Sequence, residues 1–224
     1  MNDLSPWNHI LAEWVAALGS IAVAVVAVFQ EWIKRRVYRP KLRLDARVCR
    51  PAAEKFRWDE QQVDVYYFRL EITNEGNREA RDLQVYVASV RRLRQDGNYE
   101  AVDRFSPMNL VWTHTPRSPT LPLLLPAMPP RYCDLAHISN PRMKAQTHEQ
   151  LPGVDLDDAV LALELEVQAN SLAYLLGPGT YELSLKLAAS NHPPTDYALE
   201  VKFLGKWFDH QDKMFSDGLG LRII

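Results

Sequence analysis

The chain has 224 residues, of which 47% are hydrophobic and 24% are charged, and its formal net charge is −2. This composition is that of a folded domain, and the near-neutral charge gives no general affinity for nucleic acid. Two cysteines, Cys49 and Cys133, are too few for a disulfide framework or a four-cysteine zinc site, which indicates reducing surroundings. We therefore expect no cofactor, no resident metal and no nucleic-acid partner.

The first predicted element is an apolar helix. Residues Trp14 to Phe29 include no charged side chain and no proline. A helix of that length is about 25 Å long at 1.5 Å per residue, the lower edge of what crosses a hydrocarbon core. Pro6 favours a helix start, and Pro40 disfavours helical geometry at the residue before it, so we predict one helix from about Pro6 to about Val37. The predicted membrane span includes Trp14, Gly19, Ser20, Ala24 and Phe29.

A basic cluster follows this run and predicts its orientation. Its members are Lys34, Arg35, Arg36, Arg39 and Lys41. Positive residues beside a span are retained on the cytoplasmic side, where they face lipid headgroups. We therefore predict a single-pass protein of the bacterial inner membrane, with its N-terminus outside and the rest in the cytoplasm. Two other interpretations stay open, a buried helix of a soluble oligomer and a signal peptide, although no Lys or Arg precedes the run.

Small residues recur along one side of the predicted span. Ala16, Ser20 and Ala24 are spaced every four residues, with Gly19 and Ala27 near the same side. This spacing lets helix backbones approach closely in lipid, so we predict self-association through this face. The alternative is that Ala is simply common in membrane helices.

After Pro40 the hydrophobic period changes from helical to two, the pattern of half-buried strands. The alternating runs are Leu42–Val48, Tyr66–Thr73, Leu83–Ala88, Leu161–Val167, Tyr181–Leu187, Tyr197–Phe203 and Leu219–Ile223. Turn residues separate most of them, at 74–77, 96–98, 177–179 and 191–194. We therefore predict a mainly β fold of two domains: residues 1–40, with the transmembrane helix and basic segment, and residues 41–224, one antiparallel β-sandwich of seven or eight strands.

One segment resembles a known kind of domain. Phe68 to Val90 combines a strand, an Asn-x-Gly turn, an alanine and a second strand, and Gly177 to Asn191 has a similar turn and hairpin. This arrangement resembles immunoglobulin-like and CARDB-like interaction domains, which implies a sandwich that binds or connects other molecules. The helix, the Arg39–Leu42 junction and the β domain together also resemble bacterial single-pass membrane-anchored proteins.

The section from about 106 to 152 is rich in proline and predicts a long crossover between sheets, without long regular elements. Within it lies an apolar group, Leu121, Leu123, Leu124, Leu125 and Met128. Either these residues form an exposed partner-binding segment, or they cover the core.

Few residues are candidates for catalysis or metal binding. Cys133, Asp134 and His137 are typical of a thiol–base pair or a metal corner, but further ligands at motif spacing are missing, so we expect a buried Cys133 and a surface His137. Three aspartates at 155, 157 and 158 match no calcium-loop spacing and are interpreted as a solvated turn.

The C-terminal aromatic residues allow two interpretations. Trp207, Phe208 and Phe215 form either a binding face or a plug at one end of the sandwich. For the whole chain we predict a non-enzymatic, membrane-anchored interaction or sensor module with an unidentified protein partner. The alternatives are a self-assembling membrane effector, for example of a bacterial defence system, and an enzyme using Cys133 and His137.

Overall fold

The computed structural model describes the backbone of residues 6–58, 62–113, 118–143 and 149–224. The chain forms two compact units, Met1–Arg39 and Pro40–Ile224. The first contains the helix α1, Pro6–Val37, whose bounds are those expected from the two prolines. The side chains of Lys34, Arg35 and Arg36 lie outside the described residues.

One stretch of α1 is long and apolar enough to cross a membrane. It is the window Glu13–Gln30, with a mean hydropathy of 1.8, and its side chains are exposed. Length and composition alone give the same result for a signal sequence. The structure therefore establishes an apolar N-terminal helix, while its insertion and orientation stay predictions.

The second unit contains two antiparallel sheets, each of seven strands in the described part of the chain. Sheet 1 consists of β1 (Leu42–Ala46), β2 (Ala53–Trp58), β3 (Val63–Asn74), β7 (Val111–Trp112), β9 (Arg131–Ser139), β10 (Leu161–Leu163) and β11 (Leu175–Leu176). Sheet 2 consists of β4 (Ala80–Leu93), β5 (Tyr99–Ala101), β6 (Met108–Asn109), β8 (Leu121–Leu124), β12 (Gly179–Ala189), β13 (His192–Phe203) and β14 (Leu219–Ile223). The predicted mainly β, sandwich-like fold class is confirmed, but the described residues form fourteen strands instead of the predicted seven or eight, because several strands are only two to four residues long.

The strand order places β3 and β9 inside sheet 1 and β12 and β4 inside sheet 2. Sheet 1 runs β1-β3-β9-β10-β11, with β2 also on β3 and β7 also on β9. Sheet 2 runs β14-β13-β12-β4-β5, and β6 and β8 also pair with β4. Alternate residues of β3 and of β4 are fully buried and share one core, as period-two burial predicts. These residues are Tyr66, Phe68, Leu70, Ile72, Leu83, Val85 and Val87.

Two helical turns complete the domain. A 3-10 turn, Pro141–Met143, follows β9. Before β14, the short helix Gln211–Lys213 continues into a π-helical turn, Met214–Gly218. This second segment packs against the core, because Met214 is fully buried and the Phe215 ring lies 6.2 Å from that of Phe68.

The prediction that the proline-rich section lacks long elements is wrong. It contains β9, a nine-residue strand that pairs with β3 on one side and with β10 and β7 on the other. The prolines bracket this strand without interrupting it, since Pro129 and Pro130 precede Arg131 and Pro141 follows Ser139. The backbone N–H groups that a central strand needs are therefore all present.

Two smaller predictions also differ from the structure. The run from Leu161 is a strand only as far as Leu163, after which Leu165 makes a single bridge to Leu110. The predicted turn at 191–194 is shorter, because β13 already begins at His192. Its two prolines are tolerated there because β14 pairs only with residues 199–203, which leaves one side of the β13 start free of a paired strand.

Candidate functional site: a buried charge cluster on sheet 1

The outer side of sheet 1, opposite the core, carries charged residues that are buried. Arg69 lies across from Asp134, and His137 lies across from Tyr67, between β3 and β9. Arg69 is 6% exposed and His137 is 2% exposed. The ring centroids of Trp58 and Tyr67 lie 5.0 and 5.6 Å from that of His137, so aromatic rings help to exclude water from the imidazole.

A carboxylate contacts each nitrogen of the His137 ring. Nδ1 lies 2.5 Å from Glu164 Oε1, and Nε2 lies 2.5 Å from Glu149 Oε1. The Ser139 hydroxyl donates to the second oxygen of Glu149 at 2.7 Å. Burial alone lowers the pKa of His137, but the hydrogen bonds and charges of Glu149 and Glu164 more than reverse this effect and raise the pKa to about 9. At neutral pH the ring is therefore an imidazolium that donates both N–H groups to carboxylates.

A second ion pair adjoins this triad. Arg69 Nε donates to Asp134 Oδ1 at 3.1 Å, and Arg69 Nη1 donates to the Pro51 carbonyl at 3.1 Å. Thr113 donates its hydroxyl to the same Asp134 oxygen at 2.6 Å. Burial raises the pKa of Asp134, although the Thr113 hydrogen bond and the Arg69 charge oppose it. The guanidinium also lies 5.1 Å from the centre of the Phe56 ring, a cation–π contact.

The charged groups of this cluster are paired with one another. Both His137 nitrogens are occupied by carboxylates, so the ring offers neither a free base nor a metal-binding lone pair at neutral pH. In the described part of the chain, no group of three or more His, Cys, Asp or Glu side chains is arranged to hold a metal ion. The cluster therefore fixes Glu149 and Glu164, which lie outside the strands, against the sheet.

Cys133 and His137 do not come together. Cys133 is fully buried on the core side, where its Sγ donates to the Val111 carbonyl at 3.2 Å, and burial raises the pKa of its thiol. A regular strand would place residues four apart on one face, but β9 carries a bulge at Leu135 that turns His137 to the outer side. The expectation of a buried Cys133 is confirmed, whereas the expectation of a surface His137 is wrong.

The other predicted site residues are distributed as follows. In α1, Trp14, Ala16, Gly19, Ser20, Ala24, Ala27 and Phe29 are all exposed. The apolar group near Leu121 is divided: Leu124 is fully buried and Leu121 is half-buried, whereas Leu123, Leu125 and Met128 are exposed. The aspartates at 155–158 lie in a turn closed by a hydrogen bond from the Asp158 amide to the Asp155 carbonyl.

The C-terminal aromatic residues pack on the core. The ring centroid of Trp207 lies 4.8 Å from that of Tyr66, whose hydroxyl donates to the Phe208 carbonyl at 2.9 Å. Burial, together with the nearby charges of Asp209 and Asp64, raises the pKa of Tyr66 to about 12. This placement agrees with the interpretation of the segment as a plug at one end of the sandwich.

Glu149 and Glu164 are absent from the sequence-based set of site residues. Glu164 lies just after β10, in a run whose alternation predicted only a half-buried strand. Glu149 comes from the proline-rich section and is separated from His137 by 12 residues, so no local pattern connects the two. The apolar neighbours of His137, Ala136 and Ile138, are fully buried in the structure, but the sequence around them does not indicate which carboxylates contact the ring.

No protein-family model matches the chain, and searches of curated proteins and of solved structures found no match. The resemblance to immunoglobulin-like and CARDB-like domains therefore stays a prediction from the residues.

Proposed function

We propose that this chain is a membrane-anchored, non-enzymatic interaction or sensor module, with its β-sandwich held at the cytoplasmic face by helix α1. The observation that carries the proposal is the exposed apolar window Glu13–Gln30, followed within a few residues by a basic cluster and then by a folded β domain. Exposed apolar side chains over 18 residues favour lipid as their surroundings, and the positive residues that follow favour a cytoplasmic C-terminal side.

The interaction role rests on how the β domain uses its polar groups. The buried Arg69 and His137 and the half-buried Asp134 are engaged with one another or with neighbouring carboxylates and backbone. Such a network stabilises a sheet and leaves recognition to the surface. A β-sandwich tethered to a membrane in this way presents loops and strand edges to a partner, as the resemblance to interaction domains implies.

Membrane extraction and thiol labelling test the anchor and its orientation. Cys49 is exposed and lies soon after the basic cluster, whereas Cys133 is buried. In cells that express the full chain, the protein should stay in the membrane pellet after an alkaline wash. A membrane-impermeant thiol reagent should label Cys49 only after the inner membrane is permeabilised, and a Cys49→Ser variant provides the background. Labelling in intact spheroplasts, or release by the wash, would refute the anchor as proposed.

A pull-down tests the interaction role. Full-length protein solubilised from membranes in mild detergent should retain a stoichiometric protein partner that can be identified by mass spectrometry. Recovery of the chain alone, under conditions that preserve other membrane complexes, would count against an interaction module.

A second candidate is a self-assembling membrane effector. It is favoured by the exposed small residues of α1 in the described window, and by the Ser20 hydroxyl, which donates to the Ala16 carbonyl at 2.9 Å and so is satisfied within its own helix. Ser20→Leu should abolish oligomers on native gels. Ala22→Leu, on the opposite side of the helix, is the matched control. Oligomers that survive Ser20→Leu would eliminate this candidate.

A further inference from the structure

The β domain begins at one defined end of the sandwich. The Lys41 amide donates to Asn74 Oδ1 at 3.2 Å, and the Glu75 amide donates to the Lys41 carbonyl at 2.8 Å. Asn74 is 4% exposed, and its Nδ2 donates to the carbonyls of Arg78 at 2.7 Å and Leu124 at 3.1 Å. We call Lys41 together with loops 75–79 and 125–130 the Lys41 end.

Few residues separate helix α1 from the Lys41 end along the chain. Only residues 38–40 separate the last helical residue, Val37, from Lys41, so their Cα atoms are at most about 14 Å apart. The helical residues after the apolar window add about 10 Å. With the window in the hydrocarbon core, the Lys41 end lies within about 25 Å of the hydrocarbon boundary, and the headgroup layer occupies about 5–8 Å of that distance.

An exposed apolar loop lies at this end. Leu123 and Leu125 are each 45% exposed and Met128 is 49% exposed. No charged residue occurs from 118 to 130. Leu124 is fully buried and pairs with Ala80 of β4, so it fixes the loop while its two neighbours project outward. We call residues 122–129, which comprise the end of β8 and the turn after it, the apolar loop.

Basic residues surround the apolar loop. Five basic residues lie at or beside the Lys41 end, against four acidic residues: Lys41, Arg43, Arg78, Arg81 and Arg131, with Glu75, Glu79, Asp82 and Asp45, the last of which pairs with Arg43 at 3.9 Å. Glu75 pairs with both Lys41 and Arg43, at 3.8 and 3.3 Å, and Glu79 pairs with Arg81 at 2.8 Å. The excess of positive charge, together with the apolar loop, is complementary to an anionic bilayer surface.

We propose that the apolar loop inserts into the headgroup layer of an anionic bilayer, so that the β domain lies on the membrane at its Lys41 end. This proposal rests on the proposed function, because the tether to a spanning helix brings the loop to the surface. Leu123, Leu125 and Met128 enter the boundary between headgroups and acyl chains, and the surrounding arginines and lysine contact lipid phosphates. The loop then fixes the orientation of the domain and directs the opposite end of the sandwich toward the cytoplasm.

Site-directed fluorescence on the full chain tests this proposal. The protein carries Cys49→Ser, which removes the exposed thiol while Cys133 stays buried, and is placed in nanodiscs that contain phosphatidylglycerol and spin-labelled lipid. An environment-sensitive fluorophore is attached at Leu125→Cys or Met128→Cys. The matched control is Leu204→Cys, which is 48% exposed and follows the end of β13 farthest from the Lys41 end. A fluorophore at Val23→Cys reports whether helix α1 lies in the bilayer.

Fluorophores at positions 23, 125, 128 and 204 distinguish the possible placements of the helix and the β domain. The proposal expects blue-shifted emission and quenching by spin-labelled lipid at 23, 125 and 128, with neither change at 204. Replacing phosphatidylglycerol by a neutral lipid should reduce quenching at 125 and 128 only. Quenching at 23 without quenching at 125 and 128 would overturn the proposed contact between the apolar loop and lipid. It is the result expected of a loop that binds a protein partner, and it would leave the membrane anchor intact. No quenching at 23 would overturn the proposed function, and equal quenching at 204 would overturn a specific orientation.

Discussion

The His137 triad predicts a stability that depends on pH. The pKa of His137 is about 9 in the folded protein and 6.5 for an ordinary histidine, so folding favours the protonated ring. Stability from this group is therefore fully present below about pH 6.5 and is lost as the pH rises through 9. Since one pKa unit corresponds to about 1.4 kcal/mol, the loss is on the order of 3 kcal/mol.

The variant His137→Gln removes this titration. Because the buried Glu149 and the half-buried Glu164 then lose their cation, we expect the free energy of unfolding at pH 6.5 to fall by about 3–5 kcal/mol. The matched control is His192→Gln, since His192 is half-buried and its ring nitrogen Nδ1 lies 2.6 Å from the neighbouring Pro193 carbonyl instead of a carboxylate. The control should change the free energy by less than about 0.5 kcal/mol.

Urea unfolding of the full chain in detergent micelles, followed by tryptophan fluorescence between pH 6 and 10, measures these differences. The wild type and His192→Gln should lose stability in parallel as the pH rises, whereas His137→Gln should show a flatter profile. Parallel profiles for wild type and His137→Gln would refute the assignment of a protonated, doubly bonded His137.

Three further predictions concern other parts of the β domain. Gly205→Ala should cost about 2–4 kcal/mol in urea unfolding, because φ is +78° and an added Cβ would lie 2.2 Å from a proline ring, whereas Gly97→Ala, with φ of +82° and open space, should cost about 1 kcal/mol. Asn74→Asp should cost about 2–4 kcal/mol at pH 7, measured in the same way, because a carboxylate cannot donate to the two carbonyls that the amide binds. A thiol reagent counted by mass spectrometry should modify Cys49 alone in the folded protein and Cys133 as well in urea; equal rates in the folded protein would contradict the burial of Cys133.

Where the local residue pattern alone specifies an element, the sequence was sufficient. Helix α1 was predictable from an uninterrupted apolar run between two prolines. Strand β1 was predictable because Leu42, Leu44 and Ala46 alternate with polar residues that stay outside the core. In β1 the local pattern and the tertiary surroundings agree.

Strand β9 and the charge cluster were not predictable for the opposite reason. In β9, residues 135–139 are all buried, so the period of two disappears, and the bulge at Leu135 shifts the faces. The burial of His137 depends on Glu149, Glu164 and Trp58, which reach it from three separate segments. No pattern within the nine residues of β9 reports those long-range contacts.

The most direct test of the account is protease protection of the β domain in spheroplasts. With the full chain in the inner membrane, protease added outside should leave the fragment after residue 40 intact, and it should be digested only after the membrane is lysed. Digestion in intact spheroplasts, or recovery of the undegraded chain in the soluble fraction without detergent, would contradict a sandwich anchored at the cytoplasmic face.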